Sequence, residues 1–329
     1  MASTLSGSTK SLANKAHPVR GYVYIATATL LWGIAATLGR AAFTGRLLPA
    51  GQALQIDPLI LSQSRTTFSF LVLLPILMVR RGWQRLVLPA ADLGRMVLLG
   101  VLGVAASNYL YYLAIQKTNV ATAIILQYTA PVLVLLYMVA RGLQKATLQR
   151  VSAVALAVVG STLAIGVVGA GGLRLNPIGV AAAMLAAVSF SFYNVAGHNI
   201  LVRYDRWIVL LYTTFSAAVF WLFVNPPWKV VAAHYSGLEL GFLLVFAVVS
   251  VLAPFSFYFA GLQHLEPTRA IVSSCLEPVF SIVIAAIVLG EGLRPVQTLG
   301  IVVVLAAIVL VQLPDRGAGE AGTVVEPIE

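Results

Sequence analysis

The chain has 329 residues, of which 60% are hydrophobic and only 10% are charged, and its formal net charge is +10. Soluble domains carry roughly 25% charged residues, because charged groups must stay in water. The composition therefore excludes an ordinary soluble protein. The basic residues lie in short runs between apolar stretches, as they do in membrane proteins, so the positive charge does not indicate a nucleic-acid partner.

Ten segments of the chain are long and apolar enough to cross a lipid bilayer as helices. A helix needs about 20 apolar residues to span a hydrocarbon core of roughly 30 Å. None of the ten shows the alternating pattern of a barrel strand, so the sequence predicts an all-α membrane protein. In chain order, the predicted spans cover residues 21–43, 58–79, 93–114, 119–140, 147–166, 176–198, 207–224, 239–263, 268–290 and 295–313.

The distribution of Lys and Arg predicts the orientation of these spans. Placing the N-terminus inside puts 14 of the 21 basic residues in the cytoplasm, which the positive-inside rule favours. Both termini are therefore predicted to be cytoplasmic, in a multi-pass protein of the cell membrane. The predicted units are a cytoplasmic arm at 1–20 without the apolar core of a cleavable signal peptide, a five-helix repeat at 21–166, a Gly-rich connecting loop at 167–175, a second five-helix repeat at 176–313 and a cytoplasmic tail at 314–329.

The two halves match each other without gaps at an offset of 147 residues. Six positions are identical, including Tyr111 with Tyr258 and Pro131 with Pro278. The match joins the third and fourth spans to the eighth and ninth. Because five is odd, the second repeat enters the membrane from the opposite side. Many secondary transporters have such inverted repeats and hold their substrate near the midplane between them.

Three short motifs in this arrangement resemble a known family. Gln127-Tyr-Thr-Ala-Pro131, Leu276-Glu277-Pro278 and Leu289-Gly290-Glu291 occur in an order typical of the EamA family of the drug/metabolite transporter superfamily. The resemblance covers residues 21–313. It implies export or exchange of amino acids, drugs or other metabolites, and it does not identify the substrate.

Depth in the membrane selects the candidate site residues. At about 1.5 Å per residue, Gln127 and Glu277 both lie about 12–14 Å into their spans, near the midplane. A carboxylate at this depth costs a few kcal/mol unless it is paired, protonated or hydrated, so Glu277 is a candidate for a transport role. The alternative is a structural role, in which the Glu277 carboxyl group bonds the Ser274 carbonyl that Pro278 leaves without its N–H. Pro131 and Pro278 are candidate hinges, although prolines are also common in membrane helices.

Aromatic and amide side chains cluster in matching spans and suit an amphiphilic substrate such as an amino acid. Ordinary packing and an interfacial aromatic belt are the alternative explanation. For Arg65, inside the second span, snorkelling or an ion pair is favoured over a place at the cavity mouth. The complete set of predicted substrate-binding residues is Trp32, Asn108, Tyr112, Gln127, Tyr128, Asn194, Tyr258 and Glu277.

These features predict a secondary transporter that moves a small organic metabolite by alternating access, with the lipid bilayer as its other partner. The sequence carries no nucleotide-binding, metal-binding or nucleophile-elbow motif, so no cofactor, metal or catalytic residue is predicted. An intramembrane enzyme, or a many-helix receptor or scaffold, is the alternative. Proton coupling, the direction of transport and the oligomeric state stay open.

Overall fold

The structure is a computed structural model that describes residues 17–43, 56, 58–118, 120–166, 176–289, 292 and 294–313. The connecting loop at 167–175, the tail from residue 314, all but the last four residues of the predicted arm, and Gly290-Glu291 of the third motif lie outside the described residues.

The predicted number of spans is confirmed, since ten helices are long and apolar enough to cross a membrane. We number these spans α1 to α10. Their bounds are α1 Pro18–Phe43, α2 Pro58–Arg81, α3 Ala90–Lys117, α4 Val120–Gln127 and Ala130–Ala140, α5 Leu148–Ile165, α6 Pro177–Leu201, α7 Arg206–Val224, α8 Gly237–Leu262, α9 Pro267–Ser274 and Leu276–Leu289, and α10 Pro295–Gln312. Two further short helices lie in the described part of the chain, a 3-10 helix at Trp83–Arg85 between α2 and α3 and an α-helix at Pro227–Ala232 between α7 and α8.

The connections that follow even-numbered spans meet on one face of the molecule. This is expected, because a chain returns to the same side of a membrane after every second crossing. Arg81 at the end of α2 forms an ion pair of 2.9 Å with Asp205 after α6. Gln144 after α4 donates a hydrogen bond of 2.9 Å to Glu266 after α8. The start of α1 contacts the α8–α9 connection on the same face.

The last spans of the two repeats, α5 and α10, form a tightly packed antiparallel pair. A Cβ atom built on Gly300 would lie 2.2 Å from the backbone nitrogen of Ala164, so only glycine permits this approach of the two backbones. Side-chain amides form hydrogen bonds between α5 and α10 at both ends of the pair. Gln149 Nε2 donates to the Leu310 carbonyl at 2.9 Å, and Gln297 Nε2 donates to the Ala164 carbonyl at 3.4 Å.

The repeat is also visible in two departures from regular α-helix. α3 contains a π-helical segment at Leu99–Ala105, and α8 contains one at Val248–Leu252. The segments end at residues 105 and 252, which differ by the repeat offset of 147. A π turn loosens the regular bonding of the helix, and side chains of neighbouring spans bond to carbonyls there. The Ser189 hydroxyl of α6 donates to the Leu102 carbonyl, and Arg65 of α2 donates to the Ser250 carbonyl at 3.2 Å.

Candidate functional site

α4 and α9 are both broken near the middle of their spans. The first half of α4 ends before Tyr128, and the first half of α9 ends before Cys275. These two residues are equivalent in the repeat. The predicted hinge prolines, Pro131 and Pro278, lie in the first turn of each second half-helix. The N–H groups of the first turn have no partner within the helix, so a proline there costs no intrahelical hydrogen bond. Broken helices of this kind form substrate and ion sites in many transporters.

Glu277 lies in the first turn of the second half of α9. The start of a helix carries a partial positive charge, which favours an anion. The Tyr128 hydroxyl, from the break in α4, lies within hydrogen-bonding reach of the Glu277 carboxyl group. The two breaks therefore bring one predicted residue from each repeat into contact.

Arg65 of α2 lies near this contact, and the sequence did not select it. Its Nε donates to the Ser250 hydroxyl at 2.9 Å, and its guanidinium carbon lies 5.7 Å above the Phe246 ring. It is close enough to Glu277 and to Tyr111 to interact with both electrostatically. Within the described part of the chain no ion pair fixes Arg65, and its bonds to α8 are not those of a side chain that snorkels outward.

We refer to these five residues as the midplane cluster: Arg65, Tyr111, Tyr128, Ser250 and Glu277. The cluster joins α2, α3, α4, α8 and α9, so both repeats contribute to it. It contains one cationic and one potentially anionic side chain, with two phenolic hydroxyls beside the carboxyl group. This arrangement can bind both ends of a small zwitterion.

Asn194 and Tyr258, two other predicted residues, are fully buried and bond to each other. The Tyr258 hydroxyl donates to Asn194 Oδ1, and Asn194 Nδ2 donates to the Phe190 carbonyl at 3.0 Å. The predicted Trp32 packs against the Tyr258 ring with 5.3 Å between centroids. This group joins α1, α6 and α8.

The remaining predicted residues are less directly tied to the two groups. Asn108 Nδ2 bonds the Val104 carbonyl of its own helix at 2.9 Å. Tyr112 packs edge-on against Tyr111, with 5.7 Å between centroids, and so borders the midplane cluster. Gln127 is half-buried at the end of the first half of α4.

We expect Tyr258→Phe to destabilise the protein by about 1–3 kcal/mol, because it leaves Asn194 Oδ1 buried without a donor. Tyr193 supplies a matched control. It is equally buried in the same ring cluster, and within the described residues its hydroxyl has no hydrogen-bond partner. Tyr193→Phe should therefore leave the melting temperature unchanged or raise it. Thermal unfolding of both variants in detergent measures the difference, and equal melting temperatures would contradict a stabilising Tyr258–Asn194 bond.

Comparison with known proteins agrees with this architecture. An uncharacterized inner membrane transporter of Salmonella typhimurium, YicL, is 21% identical over 69% of the chain and 75% of that protein. The threonine/homoserine exporter RhtA of Escherichia coli is 28% identical over 61% of the chain and 65% of that protein. A solved crystal structure aligns with a TM-score of 0.72 at 18% identity, covering 92% of this chain and 99% of the other, and shows the same fold.

The two repeats found in the sequence also correspond to two matches with one family. The sequence profile of the EamA-like transporter family matches residues 19–166 and again residues 177–313. Together the matches cover all ten spans and confirm the resemblance carried by the motifs. The chain belongs to the EamA-like transporter family.

Proposed function

We propose that this transporter exports a small zwitterionic metabolite of the amino-acid class by alternating access, and that the midplane cluster binds it. The coarser statement, that the chain is a membrane transporter of small metabolites, follows from its family and relatives. The observation that carries the finer proposal is that Arg65, held by Ser250, lies close enough to Glu277 to interact with it electrostatically, beside the breaks in α4 and α9.

A charged side chain at the midplane is costly, by about 2.5–3.5 kcal/mol on insertion scales, and membrane proteins retain such groups chiefly where they function. In this site Arg65 would bind the substrate carboxylate, since its planar fork of donors fits a carboxylate. Glu277 and the hydroxyls of Tyr111 and Tyr128 would bind the ammonium group. The export direction and the amino-acid class are supported by the similarity to the threonine/homoserine exporter RhtA.

We infer that both termini are cytoplasmic and that the membrane is the cell membrane. The connections and adjoining span ends on the face of the α8–α9 turn carry eleven of the basic residues in the described part of the chain, and those on the opposite face carry Lys117, Lys229 and Arg294. This asymmetry supports the inside position of that face. We further infer that the chain is not an enzyme, because its relatives are transporters.

Counterflow into proteoliposomes tests the proposal. Vesicles loaded with unlabelled L-threonine or L-homoserine are expected to accumulate the labelled amino acid, while protein-free vesicles do not. An amine without a carboxylate and a carboxylate without an amine, each of similar size, should compete poorly. Equal competition by either analogue would contradict zwitterion binding.

A cysteine at Ser11 on a Cys275→Ser background tests the orientation of the protein in cells. Labelling of this cysteine from outside the cell would contradict the inferred topology.

A further inference from the structure

Four basic side chains converge where α1, α7 and the α8–α9 turn meet, far from the midplane cluster. We refer to His17, Arg20, Arg206 and His264 as the interfacial basic cluster. The His17 and His264 rings lie 6.4 Å apart, and His264 stacks on Tyr24 at 6.0 Å. The Arg206 guanidinium carbon lies 5.9 Å from the centre of the same Tyr24 ring. One tyrosine thus joins α7 to the α8–α9 turn.

The positive charge of this cluster is not balanced. Among the described residues, no carboxylate lies within ion-pair distance of any of the four side chains. Asp205, beside Arg206 in sequence, pairs with Arg81 at 2.9 Å. Glu266, two residues after His264, accepts from Gln144 at 2.9 Å and faces Arg150 and Arg269. The carboxylates nearest in sequence are therefore already engaged elsewhere.

The environment of His264 indicates that the cluster lacks an anionic partner. Its Nδ1 atom is buried, and within the described part of the chain it has no hydrogen-bond partner. Burial and the nearby His17, Arg20 and Arg206 lower the pKa of His264 below its usual range. Tyr24 is the ring that faces it from α1. A bound anion would stabilise a protonated His264 electrostatically and would offset the repulsion between the cations.

The cluster lies where these spans enter and leave the membrane. Pro18 begins α1, Arg206 begins α7 and Leu262 ends α8, so all three span ends are at one level. Trp207, 5.2 Å from the Arg206 guanidinium carbon, adds an aromatic ring of the kind enriched at the headgroup region. Beside the cluster, Val19 and Val23 of α1 expose 76% and 58% of their surface and form an apolar strip.

We propose that the interfacial basic cluster binds the phosphate group of an anionic phospholipid, with an acyl chain against the apolar strip of α1. Basic pockets between membrane helices bind anionic lipid headgroups in this way. A free phosphate would use the cationic side chains but not Val19 and Val23. The proposal is independent of the transported substrate.

Lipid titration of the purified protein in a nonionic detergent, followed by native mass spectrometry, tests the site. A phosphatidylglycerol should bind more tightly than a phosphatidylcholine with the same acyl chains. Arg206→Gln should weaken phosphatidylglycerol binding about fivefold, the loss expected for one basic residue at a membrane surface. Arg20→Gln should act similarly. Arg20 is exposed, so its replacement does not threaten folding. Arg85→Gln, at an exposed position after α2, is the matched control and should leave binding unchanged.

The pH dependence gives a second readout. Because a bound anion favours protonation of His264, lowering the pH from about 8 to about 5.5 should tighten phosphatidylglycerol binding, and His264→Gln should reduce this increase. Equal binding of the two lipids would overturn the proposal. So would an equal loss in Arg85→Gln, or displacement of the lipid by millimolar inorganic phosphate.

Discussion

Glu277→Gln is expected to lower counterflow and pH-gradient-driven uptake of an amino acid together, by about 30-fold or more. Removing one charged partner of a buried contact costs about 2 kcal/mol or more, and each 1.4 kcal/mol corresponds to a factor of ten. Glutamine keeps the shape of the side chain and a group that Tyr128 can bond. The loss should therefore reflect the missing negative charge rather than altered packing. Transport in proteoliposomes, normalised to the amount of folded protein, measures it.

Two other roles for Glu277 give different results in the same assay. If the carboxyl group only carries protons, Glu277→Gln loses pH-driven uptake and retains counterflow. If the carboxyl group is only structural, Glu277→Gln behaves like the parent, and Glu277→Ala lowers the melting temperature. Either pattern would contradict substrate binding by Glu277. Glu239→Gln is the control, because Glu239 closes an exposed capping box at the start of α8 and glutamine also fits that role.

Arg65→Lys is expected to reduce transport about tenfold or more, although the formal charge is kept. A guanidinium group can hold the Ser250 hydroxyl and carbonyl while other N–H groups face the substrate. A lysine ammonium is a compact point charge and does not reproduce this fork. Arg80→Lys, at the exposed end of the same helix, should transport at the parental rate.

The effect of Arg65→Lys should appear mainly as a higher KM for the amino acid, because the interaction proposed for Arg65 is with the bound substrate. Ser250→Ala removes one of the two acceptors of Arg65 and should cause a smaller loss. Initial rates over a range of substrate concentrations separate these effects. Parental KM and rate in Arg65→Lys would show that the guanidinium group does not bind the substrate.

Hydropathy and the repeat predicted the ten spans and the equivalence of Pro131 and Pro278, because span length and proline chemistry are local properties. The prolines also indicated interruptions in α4 and α9. The structure places these interruptions just before the prolines, at Tyr128 and Cys275. A proline at the start of a helix tolerates a break on its N-terminal side, so a sequence alone does not distinguish a kink from a new helix start.

The contacts of the site depend on packing between distant spans, and the sequence could not supply them. Arg65 was expected to snorkel outward or to form an ion pair, but Ser250, 185 residues later, accepts its hydrogen bonds. Asn194 and Tyr258 were expected to bind substrate individually, and they bond to each other. Conversely, Glu277 was selected by its depth and Tyr128 as one of the clustered aromatic residues, and the structure brings them together.

The paired π segments of α3 and α8 bear on the history of the chain. A π turn corresponds to one extra residue inserted into an α-helix. Because the two segments end at equivalent residues of the repeat, the simplest history places one insertion in an ancestral five-helix unit before the gene duplicated. Both halves then inherited it. Homologues that keep the extra residue in one half and lack it in the other would instead indicate two separate insertions. An alignment that ignores the extra residue would shift every later position of the span by one.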